Sequence, residues 1–98
     1  MRVLIVDDQP LVRNGLAALL ALEEGVTVVA TAADGAEAVR RCAQGGIEVV
    51  LMDVRMPGMD GLEATRRVRA AGGPPVVLLT TFEEEDDMVA GVQAGAEG

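Results

Sequence analysis

The sequence has no His, Lys, Trp or Tyr, and it has one Cys and one Phe. Each shortage removes a class of function. With Cys42 as the only thiol and no imidazole, neither an internal disulfide nor a Cys/His zinc site can form within the chain. Cys42 lies between Val39 and Ala43 in a helical pattern, where a small buried hydrophobe is the ordinary reading. Without Lys, the eight cations are all Arg, and sixteen acids outweigh them to a net charge of −8. Nucleic-acid affinity rests on Lys and Arg neutralising phosphates, so this segment is not expected to bind nucleic acid. No run reaches the about 20 apolar residues of a membrane span, and the opening MRVLIVDD is too short and too acidic for a signal sequence. No membrane association and a cytoplasmic location are expected. With Phe82 the only aromatic, the core must be aliphatic.

What is present is a regular alternation over 98 residues, the size of one domain that buries roughly 60–70% of its unfolded surface. Val3–Val6 is a continuous apolar run, as in a strand buried on both faces. Pro10–Leu22 reads as a helix with Pro in its first turn and Leu11, Gly15, Ala18, Leu19 and Leu22 along one face. Val26–Ala30 reads as a strand, Asp34–Ala43 as a helix with Asp34 and Glu37 spaced as a capping box, and Ile47–Met52 as a strand. The segment DVRMPGMDG over 53–61 reads as a loop, with Pro57-Gly58 suited to a type II turn. Asp60 and Glu63 form a second capping box before a helix at Leu62–Ala71. Val76–Thr80 is a fourth strand and Asp86–Ala94 a last helix. Strands alternating with helices imply a parallel sheet with helices on both faces.

Such sheets carry their functional groups beyond the carboxyl ends of the strands. Asp7 and Asp8 end the first strand, Asp53 ends the third, and Thr80 and Thr81 end the fourth. Three carboxylates on one rim repel one another unless a cation offsets them. A hard divalent ion with oxygen ligands does so, and Mg²⁺ needs few protein carboxylates because it keeps several waters. Beside such an ion a carboxylate can act as nucleophile toward a phosphoryl group, while a hydroxyl donates to a phosphoryl oxygen. Asp7 and Asp8 suit a shared metal pair. Asp53 stands alone before the Pro/Gly turn and is the better acceptor. Singly, each residue has an ordinary explanation: Asp7 and Asp8 as acids near a helix N-terminus, Asp53 as a solvated loop acid, Thr80 as a strand residue. Their joint placement does not.

The segments VDDQPLVRNGL, LMDVRMPGMDGLEA and VVLLTTFEEEDD with AGVQAGAEG together resemble the receiver domain of two-component response regulators, most closely the subgroup with a helix-turn-helix output. The likeness runs from Arg2 to Gly98, so residues 1–98 are expected to be one receiver domain. The resemblance implies a flavodoxin-like sheet of order 2-1-3-4-5. It implies Asp53 as phosphoacceptor, Asp8 as a direct Mg²⁺ (or Mn²⁺) ligand, Asp7 as a ligand largely through water, and the Arg55 backbone carbonyl as a further metal contact. Thr80 matches the hydroxyl residue that turns toward the phosphoryl group, and Thr81 the small residue beside it. A sensor histidine kinase is the implied donor. The implied role is a switch, not a dedicated enzyme, with DNA reached through an output domain outside this segment.

The family ends its fifth strand with a Lys that pairs with the phosphoryl group, three residues after a switch aromatic. By spacing both fall just after Gly98, so the fifth strand and helix are expected to be absent here. The fourth strand would then form a sheet edge, which invites self-association. A phosphorylation-independent pseudo-receiver or dimerisation module is the alternative reading. Two other classes fit less well. Phosphatases with an aspartyl-phosphate intermediate commonly place a general acid two residues after the nucleophile, where this chain has Arg55, which cannot release a proton. A nucleotide or flavin carrier needs a Gly/Ser/Thr-rich phosphate loop after the first strand, where this chain has Asp7-Asp8-Gln9-Pro10. The acids of Phe82–Asp87 suit a first helical turn, and Arg66, Arg67 and Arg69 suit the end of a helix. Met56 and Met59 suit adaptable packing around the loop, with a kinase contact as the alternative.

Overall fold

The computed structural model describes residues 1–79. The expected helix at 86–94, and Thr80 and Thr81, lie outside the described residues. Seven elements follow in order: β1 (Arg2–Val6), α1 (Pro10–Leu20), β2 (Thr27–Ala32), α2 (Gly35–Ala43), β3 (Val49–Asp53), α3 (Gly61–Ala70) and β4 (Val76–Leu79). The strands form one parallel sheet of order β2-β1-β3-β4, the order expected for these four strands. From β1 the chain steps outward to β2, then returns past β1 to β3. Right-handed crossovers in opposite directions put α1 on one face and α2 and α3 on the other.

The main core lies on the α2/α3 face. Leu4 and Val6 of β1, Val50 and Met52 of β3, and Val76 and Leu78 of β4 pack there with Ala38 of α2 and with Ala64 and Val68 of α3. Alternation along β3 and β4 sends Val50, Met52, Val76 and Leu78 into this layer and leaves Val49, Leu51, Val77 and Leu79 only half-buried toward the opposite face. In β1, Val3–Val6 is buried throughout, as its unbroken apolar run implies. Aliphatic side chains fill the cluster, as the near-absence of aromatics requires.

Helix α1 corrects two expectations. It ends at Leu20 and not Leu22, because Ala21–Glu24 turn back and Gly25 takes the positive φ of 81° that reverses the chain. Its inward row is also different. Leu11, Leu19 and Leu22 are 84%, 64% and 82% exposed, while Val12, Arg13, Leu16, Ala17 and Leu20 are half-buried toward β1 and β2. Leu and Ala occur on both rows, so apolar spacing alone could not choose between them. The tether of Arg13 described below fixes the choice.

The strand edges also move. β2 runs two residues further than expected, to Ala32, and carries a bulge: Val3 pairs with Val28 but Leu4 with Ala30, leaving Val29 as the extra residue. β3 begins at Val49, two residues after Ile47, because Gly45 and Gly46 both hold φ near +80° and the chain is still turning. The other two helices start as their capping residues predict. Asp34 accepts the Glu37 N–H at 2.8 Å, and Asp60 accepts the Glu63 N–H at 2.9 Å. Among the described residues β4 is the last strand of the sheet, and no helix is long and apolar enough to cross a membrane.

Candidate functional site

β1 and β3 are neighbours with Val6 registered opposite Met52, so the next residues of each, Asp7 and Asp53, emerge together on the carboxyl rim. A carboxylate oxygen from each of Asp7, Asp8 and Asp53 lies within 4.8 Å of the others. Asp7 is buried at 6% exposure, and its two partners are half-buried. Two unit charges at that separation repel by about 1 kcal/mol in bulk water and by about 3–4 kcal/mol at an effective dielectric near 20. A divalent cation among them turns this repulsion into attraction. The donors are all hard oxygens, as Mg²⁺, Mn²⁺ or Ca²⁺ prefers, so the residues fit such an ion.

Polar side chains hold the β1–α1 turn. The Asp7 N–H donates to the Ala32 carbonyl at 3.1 Å, extending the β1–β2 ladder to the rim. Asp7 Oδ1 accepts the Gln9 N–H at 2.9 Å, and the Asp7 carbonyl accepts from Arg13 Nη1 at 2.7 Å. Gln9 occupies the N-cap of α1 without any side-chain cap.

Close backbone packing holds the β3–α3 loop. The Gly61 N–H donates to the Val54 carbonyl at 2.9 Å. A Cβ on Gly61 would overlap the Asp53 carbonyl oxygen and sit 2.9 Å from Val54 Cα. A Cβ on Gly35, at the start of α2, would lie 2.5 Å from the Met59 carbonyl oxygen. Two helix starts thus press on this loop where only hydrogens fit. Val54 and Met56 point into the core, and Gly58 has the positive φ of 73° that the second central residue of a type II turn needs. Met56 is therefore a packing residue, as the first of its two expected roles requires. Asp53 Oδ1 accepts the Arg55 N–H across a long 3.4 Å, which folds Arg55 back beside the acids.

Of the residues singled out from the sequence, Asp7, Asp8 and Asp53 come together, and Arg55 lies beside Asp53. Leu79 is registered opposite Asp53; Thr80 and Thr81, the next two residues, are outside the described residues. Two resolved titration shifts lie away from the rim. Burial pushes the Cys42 thiol up, in keeping with an inert thiol. The Arg67 hydrogen bond, aided by Arg66, draws the Glu63 carboxyl down. Sequence reasoning missed Arg13, Gly35 and Gly61. Arg13 offered no more signal than a cation in a first helical turn, a place that disfavours cations.

Residues 3–98 match the response regulator receiver domain. The chain belongs to the response regulator receiver family. It is 46% identical over 68 residues to the transcriptional regulatory protein LiaR of Bacillus subtilis, a match covering 69% of this chain and 32% of that protein. Its fold superposes with a TM-score of 0.92 on a LuxR-family two-component response regulator from an Aurantimonas species, at 37% identity, covering 99% of this chain and 70% of that one. It is also similar to a Borrelia burgdorferi chain in a CheX-CheY-BeF3-Mg complex, with a TM-score of 0.85 at 29% identity, covering 99% of this chain and 74% of that one. The receiver spans about a fifth to a third of the length of the curated relatives it matches.

Proposed function

We propose that this receiver is a phosphorylation switch in which Asp53 accepts a phosphoryl group beside a Mg²⁺ (or Mn²⁺) ion held by Asp7, Asp8, Asp53 and the Arg55 carbonyl. The convergence of three carboxylates within 4.8 Å at the rim of a receiver-family sheet carries this reading. The bound ion supplies charge neutralisation for the approaching phosphoryl group. An Asp53 carboxylate oxygen attacks phosphorus and forms the acyl phosphate bond. The bond from phosphorus to the donor breaks with its electron pair leaving on the donor, an imidazole nitrogen of a sensor kinase phosphohistidine. Thr80 donates its hydroxyl to a phosphoryl oxygen, and Thr81 keeps the space beside it clear. The Borrelia relative, in its complex with BeF3 and Mg, supports a divalent ion as the cofactor of this reading. The likeness to the transcriptional regulatory protein LiaR supports a transcriptional output, and DNA contact through another domain and a cytoplasmic location belong to the same proposal.

The test uses the protein as its gene encodes it. Wild type and Asp53→Asn are incubated with Mg²⁺ and a small-molecule phosphodonor, then weighed by intact mass. One added phosphoryl group on wild type and none on the variant is the expected result. Labelling of both would move the acceptor elsewhere, and labelling of neither would return the chain to the interaction-module alternative.

A further inference from the structure

The three helix starts of the described chain are not built alike. α2 and α3 each have an Asp at the N-cap whose carboxylate binds the N–H three residues on. α1 has Gln9 there with no side-chain cap and no acid in its first turn. The acids that could have served, Asp7 and Asp8, lie in the carboxylate cluster instead. A turn that carries two members of that cluster has therefore given up the usual means of fixing its geometry. Arg13 stands in. Its Nη1 reaches back to the Asp7 carbonyl at 2.7 Å, beyond the ordinary first helical bond from its N–H to the Gln9 carbonyl, which Ala38 and Ala64 match in α2 and α3.

The atom chosen matters. Arg13 bonds the carbonyl of Asp7 and leaves its carboxylate to Gln9 and to the rim. A guanidinium bound to the carboxylate would compete with a cation for the same oxygens; bound to the carbonyl it fixes the backbone without capping the ligand. Hydrogen bonds with a charged partner are the stronger kind, worth about 1.5–3 kcal/mol net. Arg13 and its row of α1 are half-buried against β1 and β2, so the tether cannot swing freely.

We infer that Arg13 is a positioning residue that sets the cation affinity of the Asp7–Asp8–Asp53 cluster by holding the β1–α1 turn through the Asp7 carbonyl. The inference rests on the cluster being a cation site, as proposed above. Groups that orient metal ligands from outside typically change affinity 10–100-fold when removed. Arg13 carries an opposing effect too, because its charge repels a cation. That part is long-ranged and is screened at high salt, where the Debye length falls to about 3 Å near 1 M.

The test measures Mg²⁺ binding calorimetrically, and Mn²⁺ binding by the loss of its free-ion paramagnetic signal, since the sequence has no Trp or Tyr among the residues that would report optically. Wild type, Arg13→Ala, Arg13→Gln and Arg13→Lys are compared near 0.15 M and 1 M salt, with metal-free melting recorded for each. Arg13→Ala and Arg13→Gln are expected to bind about tenfold more weakly at high salt, with less loss at low salt, and Arg13→Lys to recover most of the affinity. A purely structural role would lower melting temperature and leave affinity unchanged; that result, in whichever neutral variant folds, overturns the inference and spares the cation site. Absence of binding by wild type overturns both.

Discussion

Two connections bring the acids together, and they are built by opposite means. The β3–α3 loop carries Asp53 and is clamped by backbone contact: Gly61 against Asp53 and Val54, Gly35 against Met59, with Val54 and Met56 sunk into the core. The β1–α1 turn carries Asp7 and Asp8 and is held by hydrogen bonds from Gln9 and Arg13. Its helix lays only a half-buried row on the sheet, with Leu11, Leu19 and Leu22 exposed. Packing resists small displacements steeply, whereas a few hydrogen bonds can lengthen or exchange with water at modest cost. The proposed acceptor therefore sits on the stiff side of the rim and the proposed metal pair on the more compliant side.

The sharpest way to break that contrast is Gly61→Val. Its side chain meets backbone that cannot yield, so stability is expected to fall by about 3 kcal/mol, read as the urea midpoint. A loss below about 1 kcal/mol would mean the loop is not clamped as described. Next is the pair Leu16→Ala and Leu11→Ala on α1. The half-buried Leu16 is expected to cost about 1–2 kcal/mol, and the exposed Leu11 less than about 0.5 kcal/mol. Equal losses would show that α1 faces the sheet differently in solution. Asp60→Ala removes the α3 cap and is expected to cost about 1 kcal/mol by thermal melting, with no matching cap to lose at Gln9.

The smallest effect is electrostatic. The carboxyl of Glu63 is held below its ordinary range by Arg67 and then Arg66. A lowered folded-state value contributes stability above the unfolded value and loses it as pH falls through the folded one. The Glu63→Gln variant should therefore be slightly less stable than wild type near neutrality, with the gap closing on acidification and in high salt. A gap that persists at low pH would assign the loss to something other than charge.

The same contrast explains what could be read from the sequence. A parallel sheet and the meeting of Asp7, Asp8 and Asp53 followed from strand-helix alternation and from the placement of acids at strand ends, while the strand order followed from the resemblance to the receiver family. Asp34 and Asp60 announced their helices because a cap acts within three residues of its own position. What escaped depends on contacts between distant segments. The inward row of α1 was ambiguous while Leu occupied both rows, and it is settled by Arg13 reaching a carbonyl six residues back. Gly35 and Gly61 looked like ordinary helix-start residues, and only the third dimension places Met59 and Asp53 against them. Gly25, Gly45 and Gly46 moved element ends by one to two residues through positive φ, which the letters permit without requiring.

A Mg²⁺ titration followed by backbone amide NMR bears most directly on the claim that both connections serve one ion site. Amides of Asp8 and Gln9 on one side, and of Val54 and Arg55 on the other, should shift together along a single binding curve that Asp53→Asn weakens. Shifts confined to one connection, or two curves with unrelated midpoints, would contradict it.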